Sequence, residues 1–191
     1  MHKVISFGIP SYNAAKDMDH CITSILEGSN YATDIEIIIV DDGSKDETAA
    51  KADEWETRYP GIIRAVHQEN GGHGIAVLSG LREAQGTYYK VVDSDDWLDG
   101  AALSTMLSIL RGFEERDQRV DLFISNYVYE KVYEGTHTAI GYKFACRGKR
   151  SLPGTRLVIS VWTRICSCTA CAIARMCCAR PICLCRRTRS M

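Results

Sequence analysis

Short β-branched runs alternate with helically spaced apolar residues along most of the first 145 positions. Val4 to Ile9 is apolar, interrupted only by Ser6, and stops at Pro10, as a buried strand closed by proline would. From Ala14 to Glu27 the apolar residues Met18, Cys21, Ile22, Ile25 and Leu26 recur at helical spacing. Residues 35–40 predict a second strand, running into Asp41-Asp42-Gly43-Ser44. Ser44 followed three positions later by Glu47 has the form of a capping box, which predicts a helix from there through Trp55, ended by Pro60-Gly61.

The alternation continues. Ile62 to His67 is a third strand, and Gly71-Gly72-His73-Gly74 opens a helix bearing Val77, Leu78, Leu81 and Ala84. Thr87 to Val92 is a fourth strand, ending at Asp93-Ser94-Asp95-Asp96. Leu103, Leu107, Leu110 and Phe113 mark another helix. Val120 to Tyr133 is strand-like, with a β-hairpin expected over 127–143, turning at Glu134-Gly135. Strands separated by helices imply an α/β fold, a mostly parallel sheet covered on both faces. In such sheets ligands collect at the carboxyl ends of the strands, where the polar clusters of this chain fall.

Composition changes this picture in one place. Of 191 residues 46% are apolar and 25% charged, which is globular. The net charge of −1 conceals a break: residues 1–145 carry a net −11, whereas residues 146–191 carry +10 with no acidic residue. Eight of the nine cysteines also lie after 145. The expected division is therefore a domain over 1–145 and a Cys/Arg-rich, irregular tail over 146–191. Translation in a shifted reading frame is the favoured account of that tail. Cys168 and Cys171 make one C-x₂-C pair with no second pair at a finger or ribbon distance, so zinc is the weaker account, as is a basic tail for nucleic acid or acidic lipid. No apolar run is long enough to span a bilayer and no secretory pattern opens the chain, so a cytoplasmic setting is expected.

Asp93, Asp95 and Asp96 crowd three carboxylates into four residues, an arrangement that a bound cation relieves. Oxygen donors suit Mg²⁺ or Mn²⁺, held jointly with substrate phosphates; a solvated turn capping the next helix is the plainer account. Asp41 and Asp42 offer acceptors to a base or ribose, although Gly43 and Ser44 read equally as turn and cap. Asn70-Gly71-Gly72-His73-Gly74 resembles a phosphate-cradling loop without either glycine fingerprint, and a tight connection into a helix is favoured. His73 is read as a helix-start residue, His67 as a packed core histidine, and Met18 and Cys21 as core.

Taken together, Pro10-Ser11-Tyr12-Asn13, Asp41-Asp42-Gly43-Ser44, Asn70-Gly71-Gly72 and Asp93-Ser94-Asp95-Asp96, each after a successive strand, resemble the family 2 glycosyltransferases of GT-A (Rossmann-like) fold over about residues 3–135. The resemblance implies a nucleotide-diphosphate sugar donor, most readily a UDP-sugar, a divalent metal and inversion at the sugar carbon. By position it implies that Pro10, Ser11 and Tyr12 line the nucleotide pocket, with Asp41 facing the base and Asp42 the ribose. Asn70, Gly72 and Ser94 join that pocket. Asp93 lies at the ribose or metal, and Asp95 is the main metal ligand. It further implies a glycan or lipid-linked acceptor, no nucleic-acid partner, and work at the inner face of a membrane in surface polysaccharide or glycolipid synthesis. The family's general base is a carboxylate well downstream, and here no acid follows Glu134. Glu130 and Glu134 lie too early to match it, so no catalytic base is assigned. The alternatives are a nucleotidyltransferase, a non-catalytic nucleotide-sugar binding fragment, and an adaptor built on the tail.

Overall fold

In the computed structural model, residues 2–118, 120, 122–131, 136–140, 157–159 and 171–174 are described. The runs that are apolar on both sides of the backbone become the central strands. β1 (Ile5–Ser11) and β2 (Ile35–Asp41) are buried along their whole length. They pair in parallel in a register that sets Ser11 beside Asp41. β3 (Ile63–His67) adds to β2 with Asp41 opposite His67, and β4 (Tyr88–Val91) adds to the other side of β1, both parallel. Four parallel strands therefore end at one edge.

Four helices cover the sheet: α1 (Met18–Gly28), α2 (Thr48–Arg58), α3 (His73–Glu83) and α4 (Gly100–Glu115). Ile35, Ile37 and Ile39 join Ile5, Phe7 and Ile9 on one face, packed on Met18, Ile22 and Ile25 of α1, Ala52 of α2, and Leu103, Leu107 and Leu110 of α4. Ile38 and Val40 face the other way, with Tyr89 and with Ala76 of α3. Period-two alternation thus serves two cores at once, which is why these strands read as unbroken apolar runs. Tyr89 closes the second core tightly. Its hydroxyl donates to the Val77 carbonyl at 3.0 Å, and Cβ atoms added at Gly8 and Gly80 would fall 2.0 Å and 2.7 Å from that hydroxyl.

The helix begun at Ser44 is a correction. α2 starts at Thr48 without a side-chain cap from Glu47. The Ser44 hydroxyl instead accepts the Asn13 amide at 3.0 Å, and Asp46 Oδ1 accepts the Thr48 amide at 3.0 Å. The two strand-end loops compete for the serine, and the aspartate two residues before the helix takes over its start. α4 is capped by Asp99, whose carboxylate accepts the Ala102 amide at 2.8 Å.

The strand-like stretch from 120 divides in two. β5 (Leu122–Ile124) enters the main sheet, and β6 (Tyr127–Lys131) pairs antiparallel with β7 (Thr136–Ile140) as a separate hairpin. Its expected turn at Glu134-Gly135 lies outside the described residues. Beyond residue 145 the described residues form β8 (Leu157–Ile159) and β9 (Cys171–Ala174). The sheet order is β3-β2-β1-β4-β9-β5-β8, with β9 antiparallel to both neighbours. Lack of alternation, which marks 146–191 as irregular in sequence, does not keep these seven residues from the sheet, where β8 pairs with β5 at the edge and β9 lies between β4 and β5. Among the described residues no helix is long and apolar enough to cross a membrane.

Candidate functional site

The parallel strands deliver Ser11, Asp41, His67 and the 93–96 turn to one edge, and side-chain-to-backbone bonds lock the connecting loops together. Asn13 takes a left-handed backbone (φ 51°) that its short amide tolerates. It donates its own amide to Ser44 and accepts the Lys45 amide at 2.8 Å on Oδ1. Ala14 N donates to the Thr48 hydroxyl at 2.8 Å. The loops after β1 and β2 are thus one unit.

Asp42 fastens the next loop to it. Its Oδ1 accepts Gln68 Nε2 at 2.6 Å and the Gly71 amide at 2.8 Å, while Oδ2 accepts the Gly72 amide at 2.7 Å. Burial would raise this carboxyl, but the Gly71, Gln68 and Gly72 donors outweigh it and hold it below the usual carboxylate range. Gly72 (φ 85°) then turns the chain into α3. Gly43 (φ 71°) sits against the same loop, where an added Cβ would meet the Asn70 amide at 2.8 Å. Asp42 therefore builds the 68–72 loop with both oxygens.

Asp41 is buried as well. Its Oδ1 accepts the Ser44 amide at 3.0 Å, and its Oδ2 lies 3.4 Å from His67 Nδ1. His67 corrects the reading of a packed core histidine: its side chain is 41% exposed, and Nε2 meets Asp53 Oδ1 at 2.9 Å. A position at the end of a strand that borders the loops, facing α2, explains the difference. The Asp53 hydrogen bond lifts its pKa most; burial lowers it by less, and Asp41 adds to the rise.

At the end of β4, the Asp93 carbonyl accepts the Asp96 amide at 2.9 Å and lies 3.6 Å from the thiol of Cys21. Asp93 Oδ1 is buried with no hydrogen-bond partner. His73 Nε2, on the first residue of α3, lies 3.9 Å from that oxygen. Burial pushes the Asp93 carboxyl above the usual range, with Asp95 adding and His73 opposing. An orphaned carboxylate oxygen beside an exposed Asp95 fits a hard divalent cation by chemistry. Among the described residues no three His, Cys, Asp or Glu side chains converge as a complete metal cage. Two carboxylates needing outside oxygens is the pattern of an ion shared with phosphates.

The remaining residues singled out in the sequence fall around this edge. Pro10 and Ser11 are buried, the Ser11 hydroxyl bonding back to the Ile9 carbonyl at 3.3 Å, whereas Tyr12 stands 49% exposed at the end of β1. Asn70 is exposed and Ser94 half-buried. Met18 and Cys21 are core, and burial pushes the Cys21 thiol up, with Asp96, Asp93 and Asp95 adding to the rise. The side chains of Glu130 and Glu134 and the tail cysteines lie outside the described residues. Sequence reasoning missed Gln68, the bridging role of His67 and the approach of His73 to Asp93. Only the position of Gln68 and His67 at a strand end signalled the first two.

The family model for glycosyl transferase family 2 matches residues 6–171, continuing past the composition break at 145. The glycosyltransferase EpsJ of Bacillus subtilis is 38% identical over 101 residues, 53% of this chain and 28% of that protein. GlyG of Streptococcus pneumoniae is 35% identical over 128 residues, 66% of this chain and 40% of that protein. Chondroitin synthase of Escherichia coli is 35% identical over 108 residues, 56% of this chain and 15% of that protein. The chain thus matches less than half the length of these relatives. Among solved structures, Staphylococcus aureus TarS 1–349 in complex with UDP superposes with a TM-score of 0.57 at 23% identity, over 68% of this chain and 37% of that one. The mannosyltransferase PcManGT of Pyrobaculum calidifontis, in complex with GDP-Man and Mn²⁺, does so with a TM-score of 0.61 at 18% identity, over 87% and 57%. At these identities the likeness is one of fold.

Proposed function

The chain belongs to glycosyl transferase family 2, and on that premise we propose that it transfers a sugar from a nucleotide-diphosphate sugar to a hydroxyl acceptor. The donor lies along the edge formed by Tyr12, Asp41, the 70–73 loop and Asp93, and is most readily a UDP-sugar. The acceptor oxygen attacks the anomeric carbon, the bond from that carbon to the diphosphate oxygen breaks, and the hydroxyl proton leaves to a base. Attack opposite the leaving group inverts the sugar carbon. Asp93 and Asp95 would hold a divalent ion, which when bound would supply Lewis-acid stabilisation to the departing nucleotide diphosphate.

One observation carries this reading. Asp93 Oδ1 is buried without a hydrogen-bond partner, 3.9 Å from His73 Nε2 at the start of α3, and a buried carboxylate oxygen without a hydrogen bond is costly unless a ligand completes it. In this reading Asp42 holds the loop rather than touching the ribose. The acceptor is a glycan or a lipid-linked glycan, met at the cytoplasmic face of a membrane. Residues 1–145 hold the donor machinery, and the arginine- and cysteine-rich residues after them differ from it in composition.

A second reading has its own support. No Asp or Glu follows Glu134 in this sequence, which supports a chain that binds donor without turnover. Calorimetric titration of the reduced protein with UDP, with and without Mn²⁺, tests the donor site. Binding that needs both Mn²⁺ and Asp95, lost in Asp95→Asn, is the expected result. Full Mn²⁺-dependent binding in that variant would remove Asp95 from the metal site, and absence of binding in a protein that melts cooperatively would remove the UDP-sugar assignment. Release of UDP in the presence of acceptor then separates turnover from binding.

A further inference from the structure

We infer that His67 is a positioning residue for Asp41: its ring, anchored on α2 by Asp53, orients the Asp41 carboxylate to receive a nucleobase imino N–H. The inference rests on the donor-site reading above and adds to it a proton-dependent control of base recognition.

The geometry is a line of three groups. Asp53 Oδ1 lies 2.9 Å from His67 Nε2, and Asp41 Oδ2 lies 3.4 Å from His67 Nδ1. An ionised carboxylate only accepts hydrogen bonds, and a neutral imidazole carries one N–H. Two carboxylates on opposite nitrogens of one ring ask for two N–H donors, so the arrangement is satisfied by the imidazolium alone. The charged groups facing His67 are Asp41 from β2 and Asp53 from α2. The neighbouring acids are committed elsewhere: Asp42 to Gln68, Gly71 and Gly72, and Glu56 to the Ala65 amide at 3.2 Å. The Asp53 hydrogen bond raises the pKa of His67 most, burial opposes it by less, and Asp41 adds to the rise.

What the ring does for Asp41 follows from burial. The Asp41 side chain is 6% exposed, and its Oδ1 is committed to the Ser44 amide. Oδ2 is the oxygen left to meet a ligand, and His67 is the group that orients it. A base presenting an imino N–H, such as uracil or guanine, donates to that oxygen. When His67 loses its proton, a lone pair of Nδ1 or Nε2 must face a carboxylate, and the clamp opens. Nucleotide affinity should then fall as pH rises through the titration of His67. The anchor matters as much as the ring, because removing the Asp53 charge lowers the pH at which the proton leaves.

The test uses the reduced 191-residue chain and UDP as the probe. NMR follows the His67 ring resonances against pH in wild type and Asp53→Asn, while calorimetry gives the UDP dissociation constant from mildly acidic to alkaline pH for wild type, Asp53→Asn and His67→Gln. The expected result is affinity that weakens about tenfold across the His67 titration in wild type. In His67→Gln the profile shows only the ionisation of UDP itself, at an affinity near the wild-type high-pH limit. Asp53→Asn moves the NMR midpoint and the binding midpoint together to lower pH. This last shift is one that a merely structural histidine would not produce. Superimposable profiles for wild type and His67→Gln, or midpoints unmoved by Asp53→Asn, overturn the role of His67 while leaving the donor site standing. No UDP binding at any pH by a cooperatively melting wild type overturns the donor-site reading itself, and this inference with it.

Discussion

Asp42→Asn tests whether a buried carboxylate, rather than the glycines around it, holds the loop that leads into α3. The substitution keeps shape and removes charge. In the native site three donors converge on two oxygens, Gln68 Nε2 and Gly71 N on Oδ1 and Gly72 N on Oδ2, at 2.6, 2.8 and 2.7 Å. An asparagine can keep its oxygen toward the first two, but its NH₂ then confronts the Gly72 amide, donor against donor. Two charge-assisted bonds become neutral ones, losing about 1 kcal/mol each, and a third is lost outright with its amide unsatisfied, about 1–3 kcal/mol. Relief from burying a charge offsets part of this, leaving about 2–3 kcal/mol of destabilisation. Urea unfolding at neutral pH reads that difference directly, against a total domain stability of about 5–15 kcal/mol. The sign with pH is set by the carboxyl, which is held below its ordinary value. Its stabilisation is present above the ordinary unfolded pKa and is lost as pH falls through the folded one, so the variants should converge in acid. Hydrogen exchange adds a local reading, since the Gly71 and Gly72 amides should lose protection in the variant. A neutral-pH difference below about 0.5 kcal/mol, with those amides still protected, would refute the reasoning.

Gly8→Ala should cost about 2–3 kcal/mol by urea unfolding, since its Cβ would sit 2.0 Å from the Tyr89 hydroxyl; most of that cost should vanish in a Tyr89→Ala background, measured as a double-mutant cycle. Asp93→Asn should stabilise the metal-free protein at neutral pH, because burial raises this carboxyl and its ionised form opposes folding. The gain should fade as pH drops below the folded pKa and the wild-type carboxyl takes its proton, and equal melting temperatures at neutral pH would contradict the orphaned oxygen. Cys21 should resist maleimide in the folded state and react on unfolding, as mapped by mass spectrometry of its peptide, since it is 1% exposed and burial suppresses its thiolate. Arg111→Met, which removes a bidentate pair to Asp34 at 2.6 and 2.8 Å, should cost no more than about 1 kcal/mol and less in high salt, because both side chains are part-exposed.

The order of elements through residue 115 is legible in the sequence because the periodicities that carry it are set by burial. β2 is apolar at every position from 37 to 40 because each of its faces meets a core, and α1 and α4 show one apolar stripe because each covers the sheet with one side. Element starts are less legible. A start depends on which of several nearby hydroxyls and carboxylates the backbone recruits, and that choice turns on a partner from another loop. Ser44 reads as the cap of α2 until the Asn13 amide claims it, and Asn13 is 31 positions away. The same reason hides β8 and β9. Their apolar residues suit a strand, but only pairing with β5, and for β9 also with β4, makes them strands.

The edge of the site follows from topology, and its division of labour does not. Parallel strands must end together, so clusters that follow successive strands must meet, and this brings Asp41, Asp42 and Asp93 to one edge. Which of two adjacent carboxylates faces a ligand depends on where the neighbouring amides point. Asp41 and Asp42 are indistinguishable in sequence, yet successive side chains of an extended chain point to opposite sides. One therefore turns toward His67 and α2, and the other toward Gln68 and the loop into α3. The one that faces the loop is consumed by building it. The one that faces the histidine has one oxygen on the Ser44 amide and the other 3.4 Å from the His67 ring, so two neighbouring aspartates make different contacts and, on the inference above, serve different tasks.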